Sequence, residues 1–474
     1  MMARSGLLSL GGTAVRATVQ IGSNVVVARI LGPDAYGAAA VVLALAIVLE
    51  LVRNSGFAAV VLRSGDQPAE VLVTLHRMST LVGCGLGVLV AGAGGIALGA
   101  APGAPYGVLL LVIAIAFPLA GSVSVPIASM VRRHTMGRVV VVESIAVVVG
   151  AGTAVGLALA GAGSVAMIVQ VVLLWAGVAI GVVLLRAAPR GAAAPRSTVR
   201  AMVGLARDVS VVQVVSLVAR AGDRVLAAVV FGPAASGLYV QAMQLMSLPL
   251  EQIGAAVQRV AVPALAAADT ETLRARYRQL IGVVSLLAWP VLAVLGVLAE
   301  PVVRLLFGPA WTGSAAVLPF LVVAGAAQSL GFVAVWYFVA SGRSGRQVRW
   351  ALVSQPVIVV AVVVGTTWGI SGMAAGYAVA CVVLVVPSFL VSTRGTGLRL
   401  RDVVVPALPA ASASVVAVLV AATVSAWWSQ PDGPVSAVVV PGLAAALCGG
   451  VVALAFTHVR ARVPGFLLPI GRRP

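Results

Sequence analysis

Long apolar stretches follow one another along the whole chain and are separated by short polar connections. The stretches show no two-residue alternation of apolar and polar positions, so the pattern predicts helices rather than the strands of a barrel. Each stretch is long enough to cross a hydrocarbon core of about 30 Å as a helix. We predict about fourteen spans, numbered 1 to 14, near residues 7–31, 36–61, 71–99, 106–130, 139–161, 163–186, 204–231, 236–262, 277–304, 315–340, 348–369, 372–393, 404–427 and 437–459.

Composition supports a polytopic all-α membrane protein. Of the 474 residues, 61% are hydrophobic and 9% are charged, whereas a soluble domain carries roughly 25% charged residues. A soluble fold could not bury so much apolar surface. Because Arg16 interrupts span 1, we expect this span to be a retained helix rather than a cleaved signal peptide. The connections are too short to hold a soluble domain or an extracytoplasmic enzymatic site.

The distribution of arginine predicts the topology. The net charge is +18 and the sequence contains no lysine. Connections after odd-numbered spans are short and free of arginine, whereas the connections after even-numbered spans, with their flanks, carry arginine clusters. By the positive-inside rule, we predict that both termini are cytoplasmic. We expect the protein to lie in the inner membrane. The positive charge therefore indicates topology and not nucleic-acid binding.

The longest connection, Ala187–Val203, divides the chain into two sets of six spans. We predict an N-lobe at residues 1–195 with spans 1–6 and a C-lobe at residues 196–400 with spans 7–12. Residues 401–474 hold two further spans and a cytoplasmic tail.

An internal repeat relates the two predicted lobes. The segment Leu31–Gly37 (LGPDAYG) recurs 200 residues later as Phe231–Gly237 (FGPAASG). The spans that precede these turns carry polar stripes at the same 200-residue offset: Thr13, Arg16, Gln20, Ser23 and Asn24 in span 1, and Gln213, Ser216, Arg220, Asp223 and Arg224 in span 7. Because the copies are six spans apart, they have the same orientation, which predicts a parallel pseudo-twofold repeat with both stripes facing a central cavity.

The deepest charges in these stripes are cationic. Arg220 and Arg224 share one acid, Asp223, and Arg16 has no acidic residue within one turn. Charges persist inside membranes when they face water, a partner or a ligand, so a net cationic cavity favours an anionic cargo. The alternative is structural pairing, for example between Glu50 and Arg53. The predicted cavity residues are Arg16, Gln20, Asn24, Arg53, Arg220, Asp223 and Arg224, and the candidates for ion coupling are Glu50, Glu251 and Asp223.

The cysteines and histidines of the sequence form no recognisable catalytic or metal-binding motif. Cys84, Cys381 and Cys448 lie in apolar spans without a metal-binding spacing. The three histidines lie at span edges, where an interfacial role is expected. We therefore expect no catalytic site, metal or cofactor, and no enzymatic activity.

Several motifs resemble those of a known family. Ala28–Gly37 (ARILGPDAYG) is similar to the A-R-x-L-x-P-x-x-[FY]-G opening of polysaccharide exporters. The second-half signature is similar at Ala219–Arg224, Gly237–Tyr239, Leu248–Ile253 and Leu306–Trp311. The chain thus resembles the oligosaccharide flippases of the Wzx type, in the branch of the colanic-acid exporter. Their superfamily includes MATE multidrug extruders and lipid II flippases, and the resemblance covers about residues 10–400.

The resemblance implies two six-helix lobes around a V-shaped cavity, and a cargo of undecaprenyl-pyrophosphate-linked oligosaccharide that moves from the cytoplasmic to the outer leaflet. It implies that cavity arginines hold the pyrophosphate, that the protein is a monomer and that polymerase or assembly proteins are partners. Two alternatives stay open, a MATE-type extruder of a small molecule and a membrane-embedded sugar polymerase or transferase. A non-transporting scaffold is disfavoured, since it needs no polar stripes.

Overall fold

A computed structural model describes residues 2–53, 61, 68–133, 135–192, 194, 222–427 and 435–455. Side chains are described for these residues except 2–15, 45–53, 136, 270–271, 344 and 452–455. The described residues contain helices, turns and loops but no strand.

Seven helices precede the second copy of the repeated turn. They are α1 (Met2–Arg53), α2 (Ala69–Ala100), α3 (Tyr106–Ala114), α4 (Ala116–Arg132), α5 (Met136–Leu159), α6 (Val165–Leu184) and α7 (222–231). Eight helices follow: α8 (Pro233–Ala266), α9 (Thr270–Val297), α10 (Ala299–Phe307), α11 (Thr312–Ala340), α12 (Ser344–Gly365), α13 (Gly369–Thr393), α14 (Arg401–Trp427) and α15 (Ser436–Ala455).

Each predicted span has a helical counterpart wherever its residues are described. Spans 1 and 2 form the two halves of α1, span 4 is divided between α3 and α4, and span 7 is described from residue 222 onward. The all-α membrane fold is therefore confirmed, whereas the count of fourteen stays a prediction.

Nine stretches of the described chain are long and apolar enough to cross a membrane, and one of them, Gly345–Thr393, includes both α12 and α13. The 34-residue helix α8 is long enough to cross but is not among the nine, because it carries the polar residues Gln241, Gln244, Glu251, Gln252, Gln258 and Arg259. This polarity marks α8 as a helix that does not face lipid on all sides.

A glycine separates the two halves of α1. Gly32 has φ 71° and ψ 174°, and Pro33 follows it. Only glycine adopts this backbone region at little cost, and proline fits the first turn of the next helix because its missing N–H would be unpaired there anyway. The Gly-Pro pair of the repeat therefore ends one helix and begins the next.

The chain divides into two compact units, Met1–Gly237 and Leu238–Pro474. This division falls inside α8, and the predicted lobe boundaries near residues 195 and 400 stay a prediction. In the first unit, α1 packs against α5, α5 against α6, and α2 against α3 and α4. Large side chains on α2 remain exposed, including Leu81, Val88, Leu89 and Ile96, as expected for a helix that faces lipid.

In the second unit, α9 packs against α11 and α14, α13 packs against α11 and α12, and α14 packs against α15. An aromatic cluster joins three of these helices, since the ring of Tyr277 lies 6.3 Å from that of Tyr337 and 5.9 Å from that of Phe389. The side chain of Asp269 caps the first turn of α9 by accepting a hydrogen bond from the amide of Thr272 at 2.8 Å.

Candidate functional site

A partly buried ion pair links α1 to α5. The guanidinium of Arg16 pairs with the carboxylate of Glu143, and the two side chains are 23% and 13% exposed. Pairing offsets part of the cost of placing a charge among membrane helices. Arg16 is therefore held in a defined position on the polar stripe of α1.

Glu143 corrects the charge balance that we expected from the sequence. We considered acids only within one turn of Arg16, and Glu143 lies 127 residues away on another helix. The premise that Arg16 contributes an uncompensated charge is wrong. Glu143 could have been found in the sequence, because it is the single acid in the apolar helix α5, and an ionisable residue in such a helix marks a functional or paired position.

The first copy of the repeat is closed by a side-chain hydrogen bond. The amide Nδ2 of Asn24 donates to the hydroxyl of Tyr36 at 3.0 Å, across the break at Gly32. Tyr36 is 2% exposed. The bond ties the polar stripe that ends at Asn24 to the first turn of the next helical segment.

The second copy has a bond between the equivalent positions. The hydroxyl of Ser236 donates to the backbone carbonyl of Arg224 at 3.0 Å, across the break at Gly232, where φ is 89°. With the 200-residue offset, Arg224 corresponds to Asn24 and Ser236 to Tyr36. The repeat is therefore present in three-dimensional structure as well as in sequence.

The two copies also contact each other. A Cβ on Gly37 would overlap the carbonyl oxygen of Pro233, and a Cβ on Gly237 would overlap the carbonyl oxygen of Pro33. The contact is reciprocal, as a pseudo-twofold relation requires. In addition, the charge of Arg224 acts on the hydroxyl of Tyr36, so the stripe residue of one copy lies near the turn residue of the other.

The other predicted site residues fall into two groups. Gln20 is exposed on α1, and Asp223 is half-buried and accepts a hydrogen bond of 2.8 Å from the backbone amide of Arg224. Glu251 is exposed on α8. The side chains of Glu50 and Arg53, and the whole of Arg220, lie outside the described residues. The roles predicted for all these residues stay predictions.

Two residues from the second-half motifs serve packing. Tyr239 and Trp311 are completely buried. The indole of Trp311 lies 5.8 Å from the ring of Phe307, and the hydroxyl of Ser314 donates to the carbonyl of Leu238 at 2.9 Å. These motif residues therefore build the second unit rather than line a polar surface.

Another acid that we did not identify from the sequence is Asp402. Asp402 at the start of α14 has a completely buried side chain. It accepts hydrogen bonds from Nε of Arg274 at 3.0 Å and from the amide of Arg399 at 2.9 Å, and it pairs with Arg278 at 3.3 Å. Arg274 and Arg278 belong to the arginine cluster that follows span 8, which we interpreted as a topology signal. They thus also hold α9 against α14.

Comparison with known proteins adds independent findings. A family model described as "Polysaccharide biosynthesis protein" matches residues 26–316. The amylovoran biosynthesis protein AmsL of Erwinia amylovora is 26% identical over 148 residues, which are 31% of this chain and 38% of AmsL. The chain thus spans well under half the length of this curated relative.

Solved structures share the fold across nearly the whole chain. A structure titled lipid II flippase MurJ, inward closed conformation, superimposes with a TM-score of 0.71 at 13% identity, covering 96% of this chain and 99% of that one. An inward-facing MATE family multidrug transporter of the MOP superfamily gives a TM-score of 0.62 at 16% identity, covering 81% and 98%. These findings confirm the resemblance and the flippase-like, all-helical fold that we predicted.

Proposed function

Because this chain belongs to the family of polysaccharide biosynthesis proteins, we propose that it is a flippase for undecaprenyl-pyrophosphate-linked oligosaccharide. The cargo would move from the cytoplasmic to the outer leaflet of the inner membrane. The observation that supports the proposal is the repeated element, in which Asn24 bonds through its side chain and Arg224 through its backbone carbonyl, at equivalent positions and across equivalent Gly-Pro breaks. A transporter needs such polar positions inside the membrane, whereas an inert scaffold does not.

The arginines of the repeat supply the affinity for the anionic head group. Arg224 and Arg220 bind the pyrophosphate by charge-assisted hydrogen bonds, which are about twice as strong as neutral ones. Arg16 can bind the head group of the cargo only after its ion pair with Glu143 has broken. Arg53, Gln20 and Asn24 contact the sugar or the head group, and Asp223 orients the arginines beside it.

Transport proceeds by alternating access, in which the two predicted lobes open the cavity first inward and then outward. A membrane potential that is negative inside assists the outward movement of an anion. The gain is about 2.3 kcal/mol per charge for each 100 mV. Arginines that move together with the pyrophosphate would reduce this gain. Glu50, Glu251 and Asp223 are the candidates for coupling to an ion.

The assignment is tested in a strain that lacks the chromosomal gene and expresses variants of the full chain. We expect Arg220→Ala/Arg224→Ala to accumulate lipid-linked oligosaccharide in the cytoplasmic leaflet and to export no polysaccharide. The matched control is Arg349→Ala/Arg401→Ala, which removes two exposed arginines outside the repeat and should export normally. Normal export by Arg220→Ala/Arg224→Ala at equal membrane abundance would contradict the proposal.

The same strain distinguishes the alternative activities. The fold likeness to MATE transporters favours a small-molecule extruder as the second candidate. Loss of an extruder should change drug or metabolite sensitivity and leave lipid-linked oligosaccharide at its usual level. Loss of a polymerase should leave single repeat units exposed on the outer leaflet, whereas loss of the flippase should leave them facing the cytoplasm.

A further inference from the structure

A cavity outside the repeat is lined by four arginines. It has a volume of about 360 Å³ and lies within the first unit, where α4 ends, α5 begins and the chain leaves α6. We call it the basic pocket. Its cationic lining consists of Arg133, Arg138, Arg186 and Arg190. The volume falls within the roughly 300–1,000 Å³ of typical small-ligand sites.

Among the residues that the structure describes, no carboxylate lines the basic pocket, and none of its four arginines forms an ion pair. The positive-inside rule explains why arginines lie on this side of the membrane, but it does not require four of them to converge on one cavity. All four arginines are exposed, so their guanidinium groups are accessible to an anion that enters the cavity.

One of the four arginines is held in a strained backbone conformation. Arg186 has φ 50° and is the sole non-glycine residue with positive φ in the part of the chain that the structure describes. It ends α6, where the amide of Ala187 donates to the carbonyl of Val182 at 3.0 Å. Glycine is the usual residue at such a position, and a side chain there costs about 1–2 kcal/mol. Arg186 therefore lines the basic pocket despite this backbone cost.

Apart from the arginines, Ser129 and Thr135 are the polar residues of the lining, and the other lining residues are apolar. Leu72, Met130 and Leu185 line the basic pocket, and Met130 and Leu185 also line a crevice that reaches Glu143. The crevice holds about 10 Å³, which is roughly one water molecule. The basic pocket therefore combines arginines with apolar side chains that also line the crevice, which suits an anion attached to a hydrocarbon chain better than a free anion.

We propose that the basic pocket binds the phosphate group of a lipid at the cytoplasmic interface. The lipid is either the cargo, held by its pyrophosphate before it enters the membrane cavity, or an anionic phospholipid held by its phosphodiester. The identification of the lipid as the cargo rests on the proposed function. The claim that the bound phosphate belongs to a lipid does not depend on that function.

The test measures binding to the purified full-length protein in detergent by native mass spectrometry. The three probes are undecaprenyl pyrophosphate, phosphatidylglycerol and inorganic pyrophosphate. For Arg133→Gln/Arg190→Gln we expect binding of the lipid probe to weaken about tenfold or more, because two charge-assisted contacts are lost. Arg349→Gln/Arg401→Gln removes the same charge from exposed sites outside the pocket and should bind as the parent protein does.

Preferential binding of undecaprenyl pyrophosphate assigns the pocket to the cargo, and equal binding of phosphatidylglycerol assigns it to lipid phosphate in general. Equal binding of inorganic pyrophosphate would overturn the claim that the ligand is a lipid. Unchanged lipid binding in Arg133→Gln/Arg190→Gln would overturn the site. Because these outcomes concern binding alone, they are separate from a failure of transport.

A second variant covers the case in which the double variant folds poorly. Arg186→Gly relieves the positive φ and removes one guanidinium, so it should raise the melting temperature of the lipid-free protein while weakening lipid binding. Lipid binding at the parental level in a stably folded Arg186→Gly protein would contradict the proposed role of Arg186.

Discussion

Glu143 on α5 pairs with Arg16 on α1, although the two residues are 127 positions apart in the sequence. The pair joins the polar stripe of the first repeat copy to a helix that is otherwise apolar. It also makes Arg16 a cation whose availability depends on a second residue. In the proposed transport cycle, an anionic head group competes with Glu143 for the same guanidinium.

The Arg16–Glu143 pair is tested by a double-mutant cycle. Glu143→Ala leaves a largely buried cation without this partner, so it should destabilise the protein by on the order of 3 kcal/mol. The double variant Arg16→Ala/Glu143→Ala should lose less than the sum of the two single losses, because neither charge is left behind. The measurement is thermal stability in detergent by fluorescence-detected size exclusion. Additive losses would show that the two charges do not interact.

The reciprocal contact of the turns predicts that glycine is required at two positions. Gly37→Ala and Gly237→Ala each place a Cβ against a backbone carbonyl of the other copy, and such overpacking costs about 1–3 kcal/mol. Gly22→Ala is the matched control, since a Cβ at this helix position meets nothing within 4 Å and alanine favours a helix by roughly 0.5–1 kcal/mol. Thermal stability should fall for the first two variants and hold or rise for the control. The reverse order would contradict the contact.

The equivalent hydrogen bonds predict equal effects in the two copies. Tyr36→Phe removes the bond from Asn24, and Ser236→Ala removes the bond to the carbonyl of Arg224. Each should cost about 1 kcal/mol of stability. Thr423→Val removes an exposed hydroxyl that bonds only within its own helix and should cost less. A loss in one copy with none in the other would show that the two bonds do not have the same role.

Asp402 predicts a stability effect in the second unit. Asp402→Asn leaves Arg274 and Arg278 without their shared carboxylate, and charge-assisted hydrogen bonds contribute about 1.5–3 kcal/mol each. The control is Glu300→Gln, which breaks an exposed pair with Arg304 on one helix, where the expected loss is about 0–1 kcal/mol. Melting curves of the two purified variants give the comparison. Equal melting temperatures of the two variants would contradict the conclusion that Asp402 stabilises the packing of α9 against α14.

The helices could be predicted because the length of each apolar stretch can be read directly from consecutive residues of the sequence. Span edges were predicted within several residues, and the Gly-Pro turn correctly marked the break between the halves of α1. The two helices of span 4 separate at Ile115, one turn before Pro118, because a proline ring clashes with the preceding turn of a helix. The repeat could also be found, because the motif and the polar stripe share one offset.

The long-range charge pairs could not be predicted by looking along one helix. Arg16 meets Glu143, and Arg274 meets Asp402, through packing between distant helices. Rules for side-chain pairs that lie three or four positions apart on one helix do not identify such partners. Glu143 was nonetheless recognisable as a rare charge in an apolar helix. Asp402 lies just outside the predicted span 404–427, so a search for intramembrane acids would have identified Glu143 but not Asp402.

The central claim is that the repeated polar element carries an anionic lipid-linked sugar across the membrane. The most direct measurement reconstitutes the full-length protein in liposomes with a fluorescent undecaprenyl-pyrophosphate oligosaccharide and follows its arrival in the opposite leaflet. We predict protein-dependent translocation that Arg220→Ala/Arg224→Ala abolishes and Arg349→Ala/Arg401→Ala retains. Translocation at the rate of protein-free liposomes, or an equal rate for Arg220→Ala/Arg224→Ala and the parent protein, would contradict the claim.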